Sequence, residues 1–477
     1  RPRTTRQSSL LPIYSHRNYV YLRQLIDSRP FRMRRLPVLF LFTLLLLAGC
    51  GDEEGFTQIQ PQAALARVFN GIPESPVIIV LVDGVTLQTV NFGETPGFEV
   101  VNVVTGDMDV FYGDANNQRQ DLATGLTVDL DNAEELTVIA MGTLDNPRFI
   151  SVINPAHVPS GSTSQTQFVH AASRISGTVQ MTIRESQSGE VVHQESLGQG
   201  QHSELITLDG SAFYEIEAVL AGDNEPIWSS GSFLAFAQTR SMNMLMDYVG
   251  PGDHSARVVQ LFGAGSASFQ NESIPGGVRI ANFSTNPDAL DLRQFLSDGS
   301  VLGFVDGAVN GEITEYLSPA ANISGFEAIP TGEPVVVGRT PYELTRGTFN
   351  TLLIGGDIDA RTLFATIGPD SNRSIATIPQ LTMFSAASPN LFYNVFVVTP
   401  DQEYTPQTVP VVINMDFLSR FSVTPPPDFD LYITASHNGE LLLGPVPFSL
   451  EAGHVYSLFL HESGGSLQIL QKDDTAR

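Results

Sequence analysis

Two short strand-like motifs recur four times along the chain and keep nearly the same separation each time. The opening motif is an alternating strand followed by a turn rich in Ser, Pro and Asn, and its copies begin at Arg67, Phe168, Val278 and Leu381. The closing motif is an apolar strand, and its copies begin at Leu136, Ser241, Phe349 and Val455. Matched positions in the two motifs are 70, 74, 72 and 75 residues apart. Because self-similarity at a fixed period is typical of repeat architectures, the sequence predicts four copies of one structural unit.

Each unit has the pattern of short strands. Apolar or alternating runs bounded by turn residues recur about every 8–12 residues, and no sustained 3.6-residue apolar period follows residue 50. In the first unit the run Val77–Val82 ends in Asp83-Gly84, a pair that favours a hairpin because both residues tolerate positive φ. The prediction is an all-β chain of four tandem immunoglobulin-like antiparallel β-sandwich domains, each closing its own core like beads in a row.

Clusters of Gly, Pro and Ser divide the units, since such clusters interrupt strand ladders. They occupy residues 154–164, 250–276 and 368–372. The predicted segments are a spurious or disordered N-terminal extension at 1–32, a lipoprotein signal peptide at 33–49, a lipidated tether at 50–63, and β-sandwiches at 64–155, 165–250, 276–368 and 379–475.

The segment before the first unit has the features of an export signal. Residues 31–50 combine a basic start, a continuous apolar middle and a small-residue end. The apolar stretch Leu36–Leu47 has 12 residues, whereas a spanning helix needs roughly 20. Its end, Leu47-Ala48-Gly49-Cys50, resembles the lipobox of bacterial lipoproteins. That resemblance implies that Cys50 is acylated and becomes the new N-terminus, and that it is an anchor with no catalytic role.

The charge balance excludes one class of partner. The chain has 25 basic and 51 acidic residues and a net charge of −26, so it would repel a phosphate backbone, and nucleic acid is not expected as a partner. Nine of the bases and one of the acids lie in residues 1–49, which leaves 16 bases against 50 acids after processing. Such a surface is typical of a solvated exterior, with an electrostatic funnel for cations as the alternative. A single cysteine excludes an internal disulfide framework.

Three stretches suggest a family. They are the opening Phe168-Val169-His170-Ala171, the strand and turn Val80–Gly84, and the closing run Leu136–Thr143. Together they resemble the bacterial family called domain of unknown function 4397, whose members are secreted or envelope-anchored β-sandwich units, often in tandem. The usual opening of that family, a valine-rich strand followed by His-Ala-Ser-Pro-Asp, is matched only in part, since Asn70 stands where the first unit would have His. The resemblance implies no catalytic residues.

Few residues carry a recognisable chemical pattern. Gly-x-Ser-x-Gly, His-Glu-x-x-His and phosphate-binding glycine patterns are absent from the sequence. His170 is interpreted as a locally hydrogen-bonded turn residue, with a general base as the alternative. Trp228 either packs in a core or stacks on a sugar ring. The acidic residues of the loops offer hard oxygens for calcium, but without the twelve-residue calcium loop they are interpreted as solvated and no metal or other cofactor is predicted; they include Asp129, Asp131, Asp107, Asp109, Asp357 and Asp359.

Taken together, these patterns predict a non-enzymatic, lipid-anchored protein of the cell envelope that presents tandem binding or spacer modules. The outer membrane is the expected location because Gly51, and not Asp, follows Cys50, although Asp52 comes next. Envelope proteins or polysaccharide are the expected partners. One alternative is a carbohydrate- or calcium-dependent adhesion module, which would expose Trp228. The other is a hydrolase, which would bring Ser, His and Asp side chains together in one pocket.

Overall fold

The computed structural model describes residues 64–101, 105–131, 133–157, 159–251, 255–274, 276–342 and 344–475. Every regular element in these residues is a β-strand, so none of them forms a helix able to cross a membrane. The strands form eight sheets, and the sheets pair face to face into four β-sandwiches, in agreement with the all-β prediction.

The first half of the described chain contains sandwiches 1 and 2. Sandwich 1 consists of β1 (Ala64–Asn70), β2 (Ile78–Val82), β3 (Val85–Val90), β4 (Glu99–Val101), β5 (Thr105–Gly113), β6 (Arg119–Asp129), β7 (Glu134–Gly142) and β8 (Pro147–Pro155). Sandwich 2 consists of β9 (Thr163–His170), β10 (Val179–Glu185), β11 (Val191–Leu197), β12 (Ile206–Asp209), β13 (Phe213–Leu220), β14 (Pro226–Leu234), β15 (Arg240–Asp247), β16 (Ala256–Phe262) and β17 (Gly265–Ser268).

The second half contains sandwiches 3 and 4. Sandwich 3 consists of β18 (Gly277–Asn286), β19 (Ala289–Leu296), β20 (Val301–Val309), β21 (Glu312–Ile313), β22 (Ile323–Pro330), β23 (Gly338–Pro341), β24 (Phe349–Asp357) and β25 (Phe364–Pro369). Sandwich 4 consists of β26 (Gln380–Ser385), β27 (Tyr393–Val398), β28 (Val412–Met415), β29 (Arg420–Val423), β30 (Asp428–Ala435), β31 (Leu441–Ser449), β32 (Val455–Ser463) and β33 (Ser466–Asp473).

In every sandwich one sheet holds both the opening and the closing strand, and we call it the motif sheet. The motif sheets have the orders β4-β1-β7-β8, β12-β9-β15-β16-β17, β21-β18-β24-β25 and β29-β26-β32-β33. The facing sheets have the orders β3-β2-β5-β6, β11-β10-β13-β14, β20-β19-β22-β23 and β28-β27-β30-β31. The four copies therefore share one topology, and sandwich 2 adds a fifth strand to its motif sheet.

The opening and closing strands are hydrogen-bonded neighbours that run parallel. The partners are Val68 and Val138 in sandwich 1, Arg279 and Thr351 in sandwich 3, and Thr382 and Ser457 in sandwich 4. In sandwich 2 the ladder is one residue away from the predicted match, because Asn243 pairs with Phe168. The constant separation of the motifs is thus the register of one parallel pair. Every other ladder among the described strands is antiparallel, in agreement with the predicted antiparallel sandwiches, and the one parallel pair in each motif sheet is a feature that the sequence analysis did not predict.

Part of the predicted connector between the second and third units is regular structure. Residues 250–276 were expected to separate them, but β16 and β17 lie within this segment, and β16 extends the motif sheet beside β15. Six residue pairs join β15 and β16, from Met242 with Leu261 to Asp247 with Ala256. The strands of sandwich 2 therefore extend to Ser268 and not to residue 250, because the apolar run Ala256–Phe262 covers an edge that β15 would otherwise leave open.

The predicted hairpin at Asp83-Gly84 is present. β2 and β3 pair up to Val82 and Val85, and the two turn residues between them have φ values of 49° and 76°. Two consecutive residues in the left-handed region match the right-handed twist of the flanking strands. The turn chemistry of the sequence therefore fixes the register of this hairpin.

Each sandwich has its own apolar core between its two sheets. In sandwich 1, for example, Val68 and Val138 of the motif sheet meet Ile78, Val80 and Val110 of the facing sheet. The other three sandwiches contain equivalent clusters.

Two further apolar cores lie between sandwiches. Phe69, Ile139 and Met141 on the outer face of the first motif sheet pack against Met242 and Met244 on the outer face of the second. In the same way the motif sheets of sandwiches 3 and 4 meet through a cluster that comprises Ala281, Phe283, Leu353, Phe384, Ala386 and Phe459. We call sandwiches 1 and 2 the first pair and sandwiches 3 and 4 the second pair. The described domains are therefore not separate beads, because two motif sheets are covered on both faces in each pair.

The two pairs also contact one another. The Arg373 side chain, in the segment between sandwiches 3 and 4, donates hydrogen bonds to the carbonyl oxygens of Pro73 and Ser75 in sandwich 1. Its guanidinium carbon lies 4.6 Å from the centroid of the Phe92 ring. The amide of Ala376 donates to the carbonyl of Glu74 at 2.9 Å.

Candidate functional site

The predicted lipidation site lies outside the described residues. Cys50 and the preceding lipobox residues Leu47, Ala48 and Gly49 all belong to the segment before Ala64. The acylation of Cys50 therefore remains a prediction from sequence.

Trp228 belongs to the core of sandwich 2 and does not reach the surface. Its side chain is 0% exposed, and its ring meets Phe269 edge to face at a centroid distance of 6.1 Å. A sugar ring could stack on this indole only if the core opened. Trp228 is therefore not a ligand contact in this structure, and core packing, the other interpretation of the sequence, is what the fold shows.

The acidic loop residues do not converge on a shared position. Asp129 ends β6 and accepts a hydrogen bond from the hydroxyl of Thr105 at 3.4 Å, whereas the amide of Asp131 donates to the Glu134 carboxylate at 2.8 Å. Asp109 is paired with Arg119 at 3.0 Å. Within the described ranges no three His, Cys, Asp or Glu side chains are grouped as metal ligands.

His170 occupies a buried polar position that all four units share. It ends the opening strand of sandwich 2 and is 0% exposed, and burial lowers the pKa of its imidazole. The same position holds Asn70 in sandwich 1, where the side-chain oxygen accepts hydrogen bonds from the Ile72 amide and the Ser75 hydroxyl. In sandwich 1 this short polar side chain therefore caps the turn after the opening strand.

The sequence analysis did not identify the residue that accepts the hydrogen bonds of this turn in sandwich 2. Asp247, at the end of the closing strand, is fully buried, and its carboxylate accepts hydrogen bonds from the amides of Ser173 and Arg174 at 2.8 and 2.9 Å. In sandwich 2 this neighbouring carboxylate, and not the side chain at the position of Asn70, accepts the hydrogen bonds of the turn amides. The apolar run Ser241–Asp247 ends in this single acid, which is the signal that the sequence offered.

The interface of the second pair contains a buried ion network centred on Arg279. This arginine is 1% exposed. Its Nη1 donates to the Asp474 carboxylate at 2.5 Å, and its Nη2 donates to the Ser457 hydroxyl at 2.9 Å. Both partners belong to sandwich 4, whereas Arg279 belongs to sandwich 3. The network therefore joins the two sandwiches beside their shared apolar core.

A second carboxylate completes the network from the side of sandwich 3. Asp370 lies 3.7 Å from the Nε of Arg279 and accepts hydrogen bonds from the Thr351 and Tyr316 hydroxyls at 2.6 and 2.9 Å. Burial raises the pKa of the Asp370 carboxyl, and the positive charge of Arg279 offsets only part of this rise. Arg420 of sandwich 4 approaches the other Asp370 oxygen at 3.6 Å. The buried cation thus has two anionic partners, which is what a desolvated guanidinium requires.

The first pair has a cleft at the equivalent interface. Arg67 is 4% exposed, its Nε donates to the Thr137 hydroxyl at 3.0 Å, and its Nη1 donates to the carbonyl of Phe262 in sandwich 2. The cleft beside it has a volume of about 320 Å³ and is bounded by Phe98, Gly263 and residues of both sandwiches. We call it the Arg67 cleft.

A second ion pair lies in the wall of the Arg67 cleft. The Nη1 of Arg240 is 3.2 Å from the Glu135 carboxylate, and the same guanidinium donates to the carbonyls of Pro155 and His157. Burial raises the pKa of the Glu135 carboxyl, and the nearby Arg240 and Arg67 oppose this rise. Arg240 is therefore fully engaged by protein acceptors.

A larger cleft, of about 680 Å³, lies where the end of sandwich 2 approaches sandwich 3. Its arginine, Arg346, is paired with the Glu272 carboxylate at 3.2 Å and donates to the carbonyls of Glu272 and Ala321. The charge in this cleft is already compensated by protein groups.

Both interfaces thus place an arginine of an opening strand against the neighbouring sandwich.

Comparison with known protein families gives a match to part of the chain. Residues 64–182 match the family described as Domain of unknown function (DUF4397). The resemblance predicted from the sequence is confirmed over this part of the chain. The DUF4397 match covers sandwich 1 and the first strands of sandwich 2, and it ends within β10.

Searches of other proteins give distant likenesses. No curated protein matches the chain. Among solved structures, the Bacillus anthracis TIE protein is 9% identical over 83% of this chain and 68% of its own, with a TM-score of 0.15. A streptococcal ancillary pilin is 10% identical over 65% and 95%, with a TM-score of 0.13. A tetra-tandem repeat from the extending region of a large adhesion protein is 12% identical over 82% and 100%, with a TM-score of 0.11.

Proposed function

We propose that this protein is a non-enzymatic component of the bacterial cell envelope, anchored by lipid on Cys50, that holds four β-sandwiches in a stiff arrangement and presents their loops to envelope proteins or polysaccharide. The observation that carries the proposal is the back-to-back packing of the motif sheets, because apolar faces buried against each other resist bending between domains. A stiff body of this kind suits a spacer or display role.

The ion networks support the same role. The buried charges of Arg279 and Asp474 join sandwich 3 to sandwich 4. A solvent-exposed ion pair adds to this contact, because the chain's single lysine, Lys472 of sandwich 4, lies 3.1 Å from Glu315 of sandwich 3. In an enzyme, strongly perturbed ionisable groups collect around a substrate cleft. Here they hold domains together.

The lipid anchor is the part of the proposal that rests on sequence. Acyl chains contribute about 0.8 kcal/mol per buried CH₂, and stable attachment needs more than one chain. A lipobox cysteine receives several chains, so Cys50 would hold the body at a membrane through the tether at 50–63. Gly51 after the cysteine favours the outer membrane.

The alternative of an adhesion module loses its sequence-predicted sugar contact, since Trp228 is buried. A loop-based adhesive role remains compatible with the display role, because loops at sandwich ends commonly carry recognition.

The anchor is tested by a Cys50→Ser variant expressed in a bacterium fed with an alkyne-labelled fatty acid. We expect wild-type protein to take up the label and to sediment with outer membranes, and the variant to lose the label and appear in the soluble fraction. A Gly51→Asp variant should keep the label and shift toward the inner membrane. An unlabelled wild-type protein, or a Cys50→Ser variant that still sediments with membranes, would contradict the proposal.

A further inference from the structure

The two interface arginines differ in one respect that bears on ligand binding. Arg279 has two carboxylates within ion-pair distance, whereas none of the described carboxylates lies within ion-pair distance of Arg67. The charge of Glu135 opposes the lowering of the Arg67 pKa by burial, but the Glu135 carboxylate is paired with Arg240. The Arg67 guanidinium is therefore nearly buried without an anionic partner, an arrangement that costs free energy unless an anion approaches.

Comparison with the second pair shows where an anion would lie beside Arg67. The contact from Arg279 to Asp474 and the contact from Arg67 to Phe262 both span 195 residues. The second pair thus has a carboxylate where the first pair has a backbone carbonyl followed by the turn Gly263-Ala264, and neither turn residue carries a charge. Space remains at this point, because a Cβ built on Gly263 would meet no atom within 4 Å.

The Arg67 cleft has room and polar groups for a small ligand. A volume of about 320 Å³ falls at the lower end of the range for small-molecule pockets. The Nε and Nη1 of Arg67 are occupied, and in the described part of the chain no acceptor contacts Nη2. The amide-bearing residues Asn154 and Gln238 also line the cleft, and the Asn154 amide donates one hydrogen bond to Gln167 at 3.1 Å. The centroid of the Phe98 ring lies 4.1 Å from the guanidinium carbon of Arg67.

The charge of the cleft selects the class of ligand. Arg67 and Arg240 against Glu135 leave one positive charge in a protein whose net charge is −26. One positive charge is balanced by a monoanion, whereas a phosphate dianion would add repulsion with Glu135. Burial lowers the pKa of the Arg67 guanidinium to about 10, while the carboxylates and Tyr316 around Arg279 outweigh its burial and raise the pKa of that group.

We propose that the Arg67 cleft binds a small monoanionic carboxylate, whose oxygens take the place beside Arg67 that the Asp474 carboxylate holds beside Arg279. The carboxylate belongs to an acidic sugar or to the end of a peptide, and it pairs with Nη2 while the cleft amides contact the rest of the molecule. Carboxylate and guanidinium form charge-assisted hydrogen bonds that are shorter and stronger than neutral ones. This site is independent of the lipid anchor.

Binding is tested by calorimetry on the purified protein at low salt, with glucuronate as the acidic sugar, N-acetylglycine as the peptide terminus, and glucose and inorganic phosphate as controls. We expect glucuronate or N-acetylglycine to bind, the two arms distinguishing the source, and glucose not to bind. An Arg67→Met variant should bind at least tenfold more weakly, since charge-assisted hydrogen bonds to arginine are worth about that factor or more. Binding of phosphate alone, or of neither carboxylate, would overturn the proposal.

A second variant keeps the test valid if Arg67→Met does not fold. Gly263→Asp introduces a carboxylate at the open position beside Arg67, and Gly263→Asn is its uncharged control of equal size. We expect Gly263→Asp to raise the melting temperature and to abolish carboxylate binding, because its own carboxylate pairs with Arg67 and neutralises the charge that the ligand requires. Gly263→Asn should retain binding within threefold of wild type. Unchanged carboxylate binding by Gly263→Asp would overturn the proposal.

Discussion

Arg67 and Arg279 each lie between two apolar residues of a strand, and each is buried where two sandwiches meet. The sequence already shows an arginine between apolar neighbours, and such a residue indicates a buried cation that needs a partner. It does not show which acid provides the partner, because Asp474 lies 195 residues from Arg279. The sequence analysis did not use this signal, and only the packing of the sandwiches shows which group compensates the charge of Arg279.

We expect the Asp474 carboxylate to be essential to the stability of the second pair. Replacing Asp474 with Ala leaves Arg279 buried with one of its two anionic partners removed, and breaking a buried ion pair in this way costs about 3–5 kcal/mol. Urea denaturation measures the change. The matched control is Asp473→Ala, which removes a half-exposed neighbour paired with His454 and should cost less than about 1 kcal/mol. Equal losses in the two variants would contradict this assignment.

The buried histidines should make stability depend on pH. His461 stacks on Phe283 across the second interface at 4.8 Å, and burial lowers the pKa of its imidazole below the ordinary value of 6.5. Below pH 6.5 the unfolded chain therefore binds more protons than the folded chain. The contribution of this histidine to the free energy of unfolding is fully present above pH 6.5 and is lost as the pH falls below that value. His170 contributes in the same direction.

A His461→Phe variant isolates this effect. We expect its melting temperature to fall less than that of the wild type between pH 7.5 and pH 5.5, because one proton-linked penalty is removed. His437→Phe, which replaces an exposed histidine, should follow the wild type. A His461→Phe variant whose pH dependence matches the wild type would show that this imidazole is not the titrating group.

At the scale of elements, the closing strands differ from a strand with one solvent-exposed face, because they are buried on both faces. A strand buried on one face alternates apolar and polar residues, whereas one buried on both faces reads as a continuous apolar run. β7 and β32 are of the second kind, with seven consecutive buried residues each. The sequence thus predicts the strands, their spacing and the hairpin at Asp83-Gly84. It does not identify what covers the outer face. The sheet that covers this face belongs to another repeat unit, and the residue pattern within one strand does not show which unit that is.

The turn between β2 and β3 gives a prediction at this scale. Gly84 has φ of 76° and open space around its position, so replacing it with Ala costs only the left-handed backbone conformation, about 1–2 kcal/mol. Gly303, in β20, has equally open surroundings and lacks a left-handed φ. Gly303→Ala should therefore be neutral or stabilising by about 0.4–1 kcal/mol. Urea denaturation of both variants measures the difference, and equal effects would contradict the turn geometry.

At the scale of the whole molecule, the chain consists of two similar pairs. In each pair two motif sheets pack back to back, and in each an arginine of the earlier sandwich reaches a residue of the later one 195 positions further along. The prediction of four sandwiches gives the number and class of the domains, but describing them as beads in a row was wrong because it left the outer faces of the motif sheets uncovered. The paired arrangement explains why those faces are apolar, and it is the basis of the proposed display role.

The most direct test of the paired arrangement is the reactivity of single cysteines placed on the outer faces. The chain from residue 51 onward contains no cysteine, so Met244→Cys and Leu353→Cys each introduce one thiol at a position that is at most 1% exposed, and Val85→Cys introduces one at a position that is 71% exposed. If the sandwiches pack in pairs, the first two thiols should react with a maleimide more than about a hundredfold more slowly than the third, since labelling then requires the pair to open. Labelling of all three at similar rates in the folded protein would contradict the paired arrangement.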